Sequence, residues 1–148
     1  MLRTTDTRRT LRTLLIPAVL VATVAAIAGC DFRTAHLEDY HYINQARIAR
    51  GAGGLGWDDE LAAKAKAWAQ HLADTGKLSH SNVASGVSPG WSALGENVGV
   101  AASTAGVHDA FMNSSQHRKV LLDRRYTSVG VGVVVKGGNV WLVEVYKG

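Results

Sequence analysis

Among the side chains that move protons or hold metal ions, three stand out in this chain of 148 residues. His80 stands in Leu78-Ser79-His80-Ser81, Glu96 in Gly95-Glu96-Asn97-Val98, and His117 in Ser114-Ser115-Gln116-His117-Arg118. Two imidazoles and a carboxylate can bind a divalent ion such as zinc and leave positions open for water, or can serve as general acid and base. Taken alone these spacings are weak evidence, because a lone loop histidine is more often solvated or structural. Ser114, three residues before His117, has two readings. It is a nucleophile activated by His117 with Glu96 behind it, or a cap on the short helix that follows, and the cap is favoured.

These groups need elements to position them. Leu37, Tyr40, Asn44 and Ile48 recur at helical spacing and end at the breaker Gly51-Ala52-Gly53-Gly54, so a helix starting near Leu37 is expected to turn this stripe to the core. Asn44, its polar member, is expected to pin neighbouring backbone. Asp58 is a good N-cap for a second helix, with Asp59 and Glu60 where the dipole favours negative charge. Leu61, Ala65, Trp68, Ala69 and Leu72 form its apolar stripe, and Gly76 is its stop. Residues 78–94 are polar and broken, a long loop of a kind that often carries function, and His80 lies at its start. Residues 96–101 fit a short strand or a helix entry. Val107, Ala110 and Phe111 mark a third helix, and residues 116–122 a short fourth.

Gly137-Gly138 is a two-residue loop suited to a primed turn, which registers Val135 with Val140. Val133 then pairs with Leu142, Val131 with Glu144 and Val129 with Tyr146 on one face. Val134 with Trp141, Gly132 with Val143 and Gly130 with Val145 share the other. Both faces are largely apolar, so both must be covered, and helices are the material at hand. The expected class is α+β, a small antiparallel sheet with helices on both faces. Trp57, Trp68, Trp91 and Trp141 are expected as core anchors.

Composition supports a packed core: 47% of residues are hydrophobic and 19% charged, with 16 Gly and only 2 Pro. The single cysteine cannot form an internal disulfide. Of the net charge of +4, Arg3, Arg8, Arg9 and Arg12 against Asp6 account for +3. The remainder is nearly balanced and shows no basic stripe interleaved with aromatics, which argues against nucleic acid as a partner. Residues 14–28 form an apolar run broken only by Pro17 and Thr23. That is too short for a bilayer span of about 20 residues, and behind a basic head it has the form of a removed export signal. The run ends in Ile27-Ala28-Gly29-Cys30, which resembles the lipobox of bacterial lipoproteins, where the cysteine is acylated and becomes the first residue. A diacylated cysteine holds to a membrane without a transmembrane helix. The expected organisation is a signal peptide over residues 1–29, a lipid attachment at Cys30 with a tether to residue 36, and a domain over residues 37–148. That domain would be extracytoplasmic and close against the cell membrane.

In one-letter form, INQARIARGAGGLGWDDELAAKAKAWAQHLADTGKLSHS, then GENV, then FMNSSQHRKVLLDRRYTSVGVGVVV resembles the CAP superfamily, in particular its cysteine-poor bacterial branch. The superfamily includes cysteine-rich secretory proteins, insect venom antigens and plant pathogenesis-related proteins. The branch carries a tryptophan-methionine-asparagine-serine-proline-glycine-histidine-arginine run before a glycine-valine-glycine strand. Here Met112, Asn113, Ser114, His117 and Arg118 agree with it, while Phe111, Ser115 and Gln116 depart. The resemblance runs from about His36 to Gly148 and implies an α-β-α sandwich. It also implies a cleft with two histidines and two glutamates, whose histidines can hold zinc or a related ion. His80, Glu96 and His117 match three of these positions. The second glutamate follows an aromatic by three residues, and three from Phe111 is Ser114, so the cleft lacks that carboxylate.

Glu144 is the one candidate to replace the missing carboxylate, although a place near the sheet's rim, leaving it solvated, is the favoured expectation. His36, His41, His71 and His108 match no motif and are expected at the surface or at helix edges. Two histidines do not complete a structural zinc site, so a metal here should be weakly held and open to water. The expected function is a membrane-anchored extracytoplasmic domain whose cleft binds a lipid or a cell-envelope component. The alternative is a metal-dependent hydrolase with Glu96 as base and His80 and His117 as ligands.

Overall fold

The computed structural model describes residues 34–148. The expected signal peptide and acylated Cys30 lie outside the described residues. In chain order the elements are α1 (Ala35–Ala49), β1 (Gly56–Trp57), α2 (Asp59–Thr75), β2 (Leu94–Ala101), α3 (Thr104–Asn113), α4 (Ser115–Leu121), β3 (Ser128–Lys136) and β4 (Asn139–Lys147). Ala35 and His36 thus belong to the first helix, not to a tether.

The four strands form one sheet in the order β1-β3-β4-β2. Gly137 and Gly138 turn the β3–β4 hairpin at φ of 61° and 76°, the left-handed pair that a type I′ turn demands. The register is the expected one, from Val135 against Val140 to Val129 against Tyr146. Residues 96–101 resolve as part of strand β2, antiparallel to β4 along its whole length. The sheet is mixed, because β1 pairs in parallel with β3 through Gly56 and Trp57. Two residues are too few to show an alternating pattern, and the sequence gives no sign of this strand.

Both faces are covered. Val129, Val131, Val133, Val140, Leu142 and Tyr146 pack with Ile43, Val107, Phe111 and Leu121 from α1, α3 and α4. Val98, Val134, Val143 and Val145 pack with Leu61, Ala65, Ala69 and Leu72 of α2. The second helix is built as its sequence requires. Asp58 Oδ1 accepts from the Leu61 N–H at 3.1 Å, and Gly76 ends the helix in the left-handed region at φ 66°. Its backbone lies directly on Gly130 and Gly132, where an added Cβ would meet the amide nitrogens of Ala62 at 2.0 Å and Lys66 at 2.1 Å.

The expected stripe of α1 is not its buried face. Leu37 and Ile48 are 49% and 66% exposed, whereas Ala35, Asp39, Ile43, Ala46 and Arg47 face inward. Arg47, a charged residue on that face, has a role that periodicity cannot show. Arg47 donates to the carbonyls of Ala52 and Gly53 and, far along the chain, of Leu121 and Asp123. Asn44 does pin backbone, accepting from the Leu55 N–H at 2.6 Å and donating to the Leu55 carbonyl at 3.3 Å. The tryptophans are not core anchors: Trp91 is exposed, and Trp57, Trp68 and Trp141 are half-buried around the margins of the two cores.

Candidate functional site

The long loop is strapped to α2. Lys64 Nζ donates to the carbonyls of Asn82 and Ser85, Trp68 Nε1 donates to Ser79, and Glu60 accepts from the Ser88 amide and hydroxyl. These bonds hold His80 at the outer edge of the sheet, beside Glu96 of β2. Glu96 lies cross-strand from Val145, so its side chain is on the α2 face.

The Glu96 carboxylate is buried and is held by three donors. Oε1 accepts from the His80 ring at Nδ1 and from the Ser81 N–H, each at 2.8 Å, and Oε2 accepts from the Ser81 hydroxyl. An ionised carboxylate only accepts, so Nδ1 of His80 carries the proton and Nε2 is the ring atom left for a ligand. The ring itself is 61% exposed while the Glu96 side chain is 3% exposed. Ser81 is a member of the site that sequence reasoning missed, although it stands next to His80.

His117 approaches from the other side of β2. Ser114 caps α4, its Oγ accepting from the His117 N–H at 3.5 Å, as the favoured reading of this residue requires. The His117 carbonyl accepts from Asn97 Nδ2 at 3.2 Å, which ties α4 to the strand. Its ring packs on Phe111 with centroids 4.9 Å apart. Burial lowers the His117 pKa, and the charge of His80 lowers it further, so the two rings share one electrostatic environment. His117 is therefore neutral at neutral pH, the state that can ligate a metal. The structure thus brings His80 and Glu96 into contact, sets His117 within electrostatic reach of His80, and engages Ser114 with backbone.

Glu144 is neither at the rim nor in this cleft. It pairs with Asn97 across β4 and β2, on the sheet face opposite Glu96, and is fully buried. Tyr146 OH and Asn97 Nδ2 donate to its Oε2 at 2.6 and 2.8 Å. Asp39 of α1, also fully buried, lies against it. His108 of α3, expected at a helix edge, is half-buried with its Nδ1 3.8 Å from Asp39 Oδ1. Among the described residues, Asp39, His108 and Glu144 are the group of histidine and carboxylate side chains whose ligand atoms all lie within 4.8 Å of one another. A His/Asp/Glu set able to hold a metal ion is therefore present, and it is not the set the motifs mark. His41 and His71 are exposed as expected, and His36 is half-buried against Trp57.

Burial raises the pKa of Asp39 and carries that of Glu144 up from 4.5 to about 7. The folded state then binds a proton that the unfolded state has already released. With chelator present, the Glu144 contribution to stability is full below pH 4.5 and is lost as the pH rises through about 7. The loss is on the order of 3 kcal/mol. His108 and His117, both depressed, act in the opposite sense near their unfolded pKa, so the informative quantity is the difference between wild type and Glu144→Gln. Urea unfolding of both proteins at pH 5 and pH 7.5 should show wild type losing stability relative to the variant. Parallel profiles would contradict the shift.

Comparison with known proteins places this geometry in a family. The sequence model of the cysteine-rich secretory protein family, CAP, matches residues 40–146. No curated protein matches the chain. Among solved structures, an extracellular protein containing an SCP domain from Bacillus anthracis is 22% identical, with a TM-score of 0.69 over 78% of this chain. This chain spans only 40% of that protein. An outer surface protein from Borrelia burgdorferi is 19% identical, with a TM-score of 0.68 over 79% of this chain and 94% of that one. The venom allergen-like protein 4 of Schistosoma mansoni is 16% identical, with a TM-score of 0.61 over 76% of this chain and 87% of its own. At such identities the likeness to solved structures concerns the fold. The family match itself extends from α1 to the end of β4, and the chain belongs to the cysteine-rich secretory protein (CAP) family.

Proposed function

We propose that this chain is an extracytoplasmic CAP domain, anchored to the cell membrane through Cys30, whose cleft along β2 binds a lipid or cell-envelope ligand. A weakly held divalent ion of the zinc class at His80 and His117 would assist. The observation that carries this reading is the clamp on Glu96. A carboxylate that fixes Nδ1–H of a histidine and leaves Nε2 for the metal is the usual support for a metal-binding imidazole. The same clamp weighs against the hydrolase alternative. Glu96 as general base must meet a water, whereas its side chain is 3% exposed and already accepts three hydrogen bonds.

A groove of about 430 Å³ adjoins the cleft at Ser81 and runs along α2, lined by Ala63, Ala67 and Trp68 with Glu60 and Lys64 beside them. An apolar trough that ends at polar groups suits a ligand with an apolar body and a polar head. The extracytoplasmic placement is supported by the extracellular and outer-surface descriptions of the Bacillus and Borrelia relatives. Among the described residues no helix is long and apolar enough to cross a membrane.

Calorimetric zinc titration tests the reading. His80→Ala and His117→Ala should each weaken binding at the cleft at least ~10-fold, and Glu96→Gln by roughly 10–100-fold through the freed imidazole. Unchanged affinity in both histidine variants would contradict the proposed ion site. Turnover of an ester or amide substrate that disappears in both His80→Ala and Glu96→Gln would favour the hydrolase instead.

A further inference from the structure

We infer that Asp39, His108 and Glu144 form a buried site for one structural divalent cation of the zinc class, which fastens α1 and α3 to β4. The site lies on the sheet face opposite Glu96 and stands independently of the cleft at His80. Asp39 and Glu144 are fully buried against each other, yet beyond that mutual contact both oxygens of Asp39, Oε1 of Glu144 and Nδ1 of His108 have no hydrogen-bond partner. Such atoms are unusual, because buried polar groups are nearly always paired, and one from each of the three residues lies within 4.8 Å of the others. The neighbouring donors are already committed: Tyr146 OH donates to Glu144 Oε2, and Asn97 Nδ2 to Glu144 Oε2 and the His117 carbonyl.

Apart from His108, whose pKa burial lowers, no cationic side chain among the described residues neutralises the pair. Arg47 is bound to carbonyls, and Arg50, which faces His108 electrostatically, donates to the Ala46 carbonyl. The other charged neighbours, Glu38 and Asp109, are acidic and make the interior more favourable for a positive ion. A divalent ion cancels the two carboxylate charges and occupies the orphaned atoms of all three residues at once.

The donor set selects the ion. One imidazole nitrogen with two carboxylate oxygens suits zinc and its first-row neighbours, whereas calcium and magnesium require more oxygen ligands. Ligand atoms within 4.8 Å of one another are near the span of about 3.3–4.2 Å around an ion held at ~2.1 Å, so small side-chain rotations close the site. The His108 side chain is 13% exposed and forms the one wet wall, through which the ion enters and where water completes its coordination. A proton shared between the carboxylates is the competing way to satisfy them.

The test uses the full chain carrying His80→Ala and His117→Ala, which silences the cleft. Stripped with chelator and titrated with zinc, this variant should take up one equivalent. Zinc at about 100-fold excess over Kd should raise its Tm on the order of 10 °C. Adding His108→Ala or Asp39→Asn should weaken uptake at least ~10-fold and remove the Tm rise. If Asp39→Asn fails to fold, His108→Ala, reaching the surface, carries the test. Absence of uptake in the double variant, or uptake that His108→Ala leaves unchanged, would overturn the inference and leave the shared proton as the occupant.

Discussion

Arg47→Met should destabilise the protein by about 4 kcal/mol, the largest effect of any single side-chain truncation in α1. The guanidinium is buried, and burial pulls its pKa down, while hydrogen bonds to carbonyls and the nearby negative charge of Asp123 hold its charge in place. Nε donates to Gly53 O at 2.8 Å, Nη2 to Ala52 O at 3.1 Å, and Nη1 to Leu121 O at 2.7 Å and Asp123 O at 3.0 Å. Methionine fills most of the volume but leaves these carbonyls without a donor, and each orphaned acceptor costs about 1–3 kcal/mol less whatever water recovers. Leu121 and Asp123 mark the end of α4, so the same loss loosens the helix that presents His117. Arg47→Lys should recover less than half of the loss, because a single ammonium cannot reproduce the fork. Denaturant unfolding of the three proteins measures this. A cost below about 1 kcal/mol for Arg47→Met would show that the carbonyls find other partners.

Gly132→Ala should cost at least about 3 kcal/mol and should also weaken zinc binding at the cleft. The added Cβ would lie 2.1 Å from the Lys66 nitrogen and 2.2 Å from the Ala65 carbonyl carbon, both backbone atoms of α2. No rotamer change relieves such a clash, so the whole helix must lift from the sheet. The lift would carry with it the bonds from Lys64, Trp68 and Glu60 that strap the long loop, drawing His80 away from Glu96. Gly137→Ala is the control. Nothing lies within 4 Å of its added Cβ, so only the strain of a left-handed φ remains, about 1 kcal/mol, with no effect on the cleft. Equal unfolding midpoints for Gly132→Ala and wild type would refute the close approach of α2.

The hairpin was fully legible because its signal is local: two glycines set the turn, and alternation then assigns every side chain from Val129 to Tyr146 to a face. The second helix was legible for the same reason, from Asp58 to Gly76. The inward face of α1 was not. Asp39 and Arg47 look like solvent-facing charges, and what turns them inward is distant in the chain: the Glu144 carboxylate for Asp39, and the carbonyls of Leu121 and Asp123, 74 and 76 residues on, for Arg47. Spacing alone does not single out His80, Glu96 and His117; their order within the family's motif pattern does, and the fold sets the loop with His80 and helix α4 with His117 beside Glu96 of β2. Ser81 and Asn97 escaped notice because a serine in a polar loop and an asparagine in a strand have no pattern of their own. The group Asp39, His108 and Glu144 joins α1, α3 and β4, and only the presence of Glu144 within an apolar face hinted at it.

The central claim is that Glu96 fixes the protonated Nδ1 of His80 so that Nε2 is free to take a ligand. Nitrogen-15 NMR of the imidazole rings, with zinc titrated at neutral pH, tests it most directly. Metal-free His80 should be found as the Nδ1–H tautomer, and zinc should move its Nε2 resonance together with a ring resonance of His117. An Nε2–H tautomer for His80, or Nε2 resonances that zinc leaves in place, would contradict it.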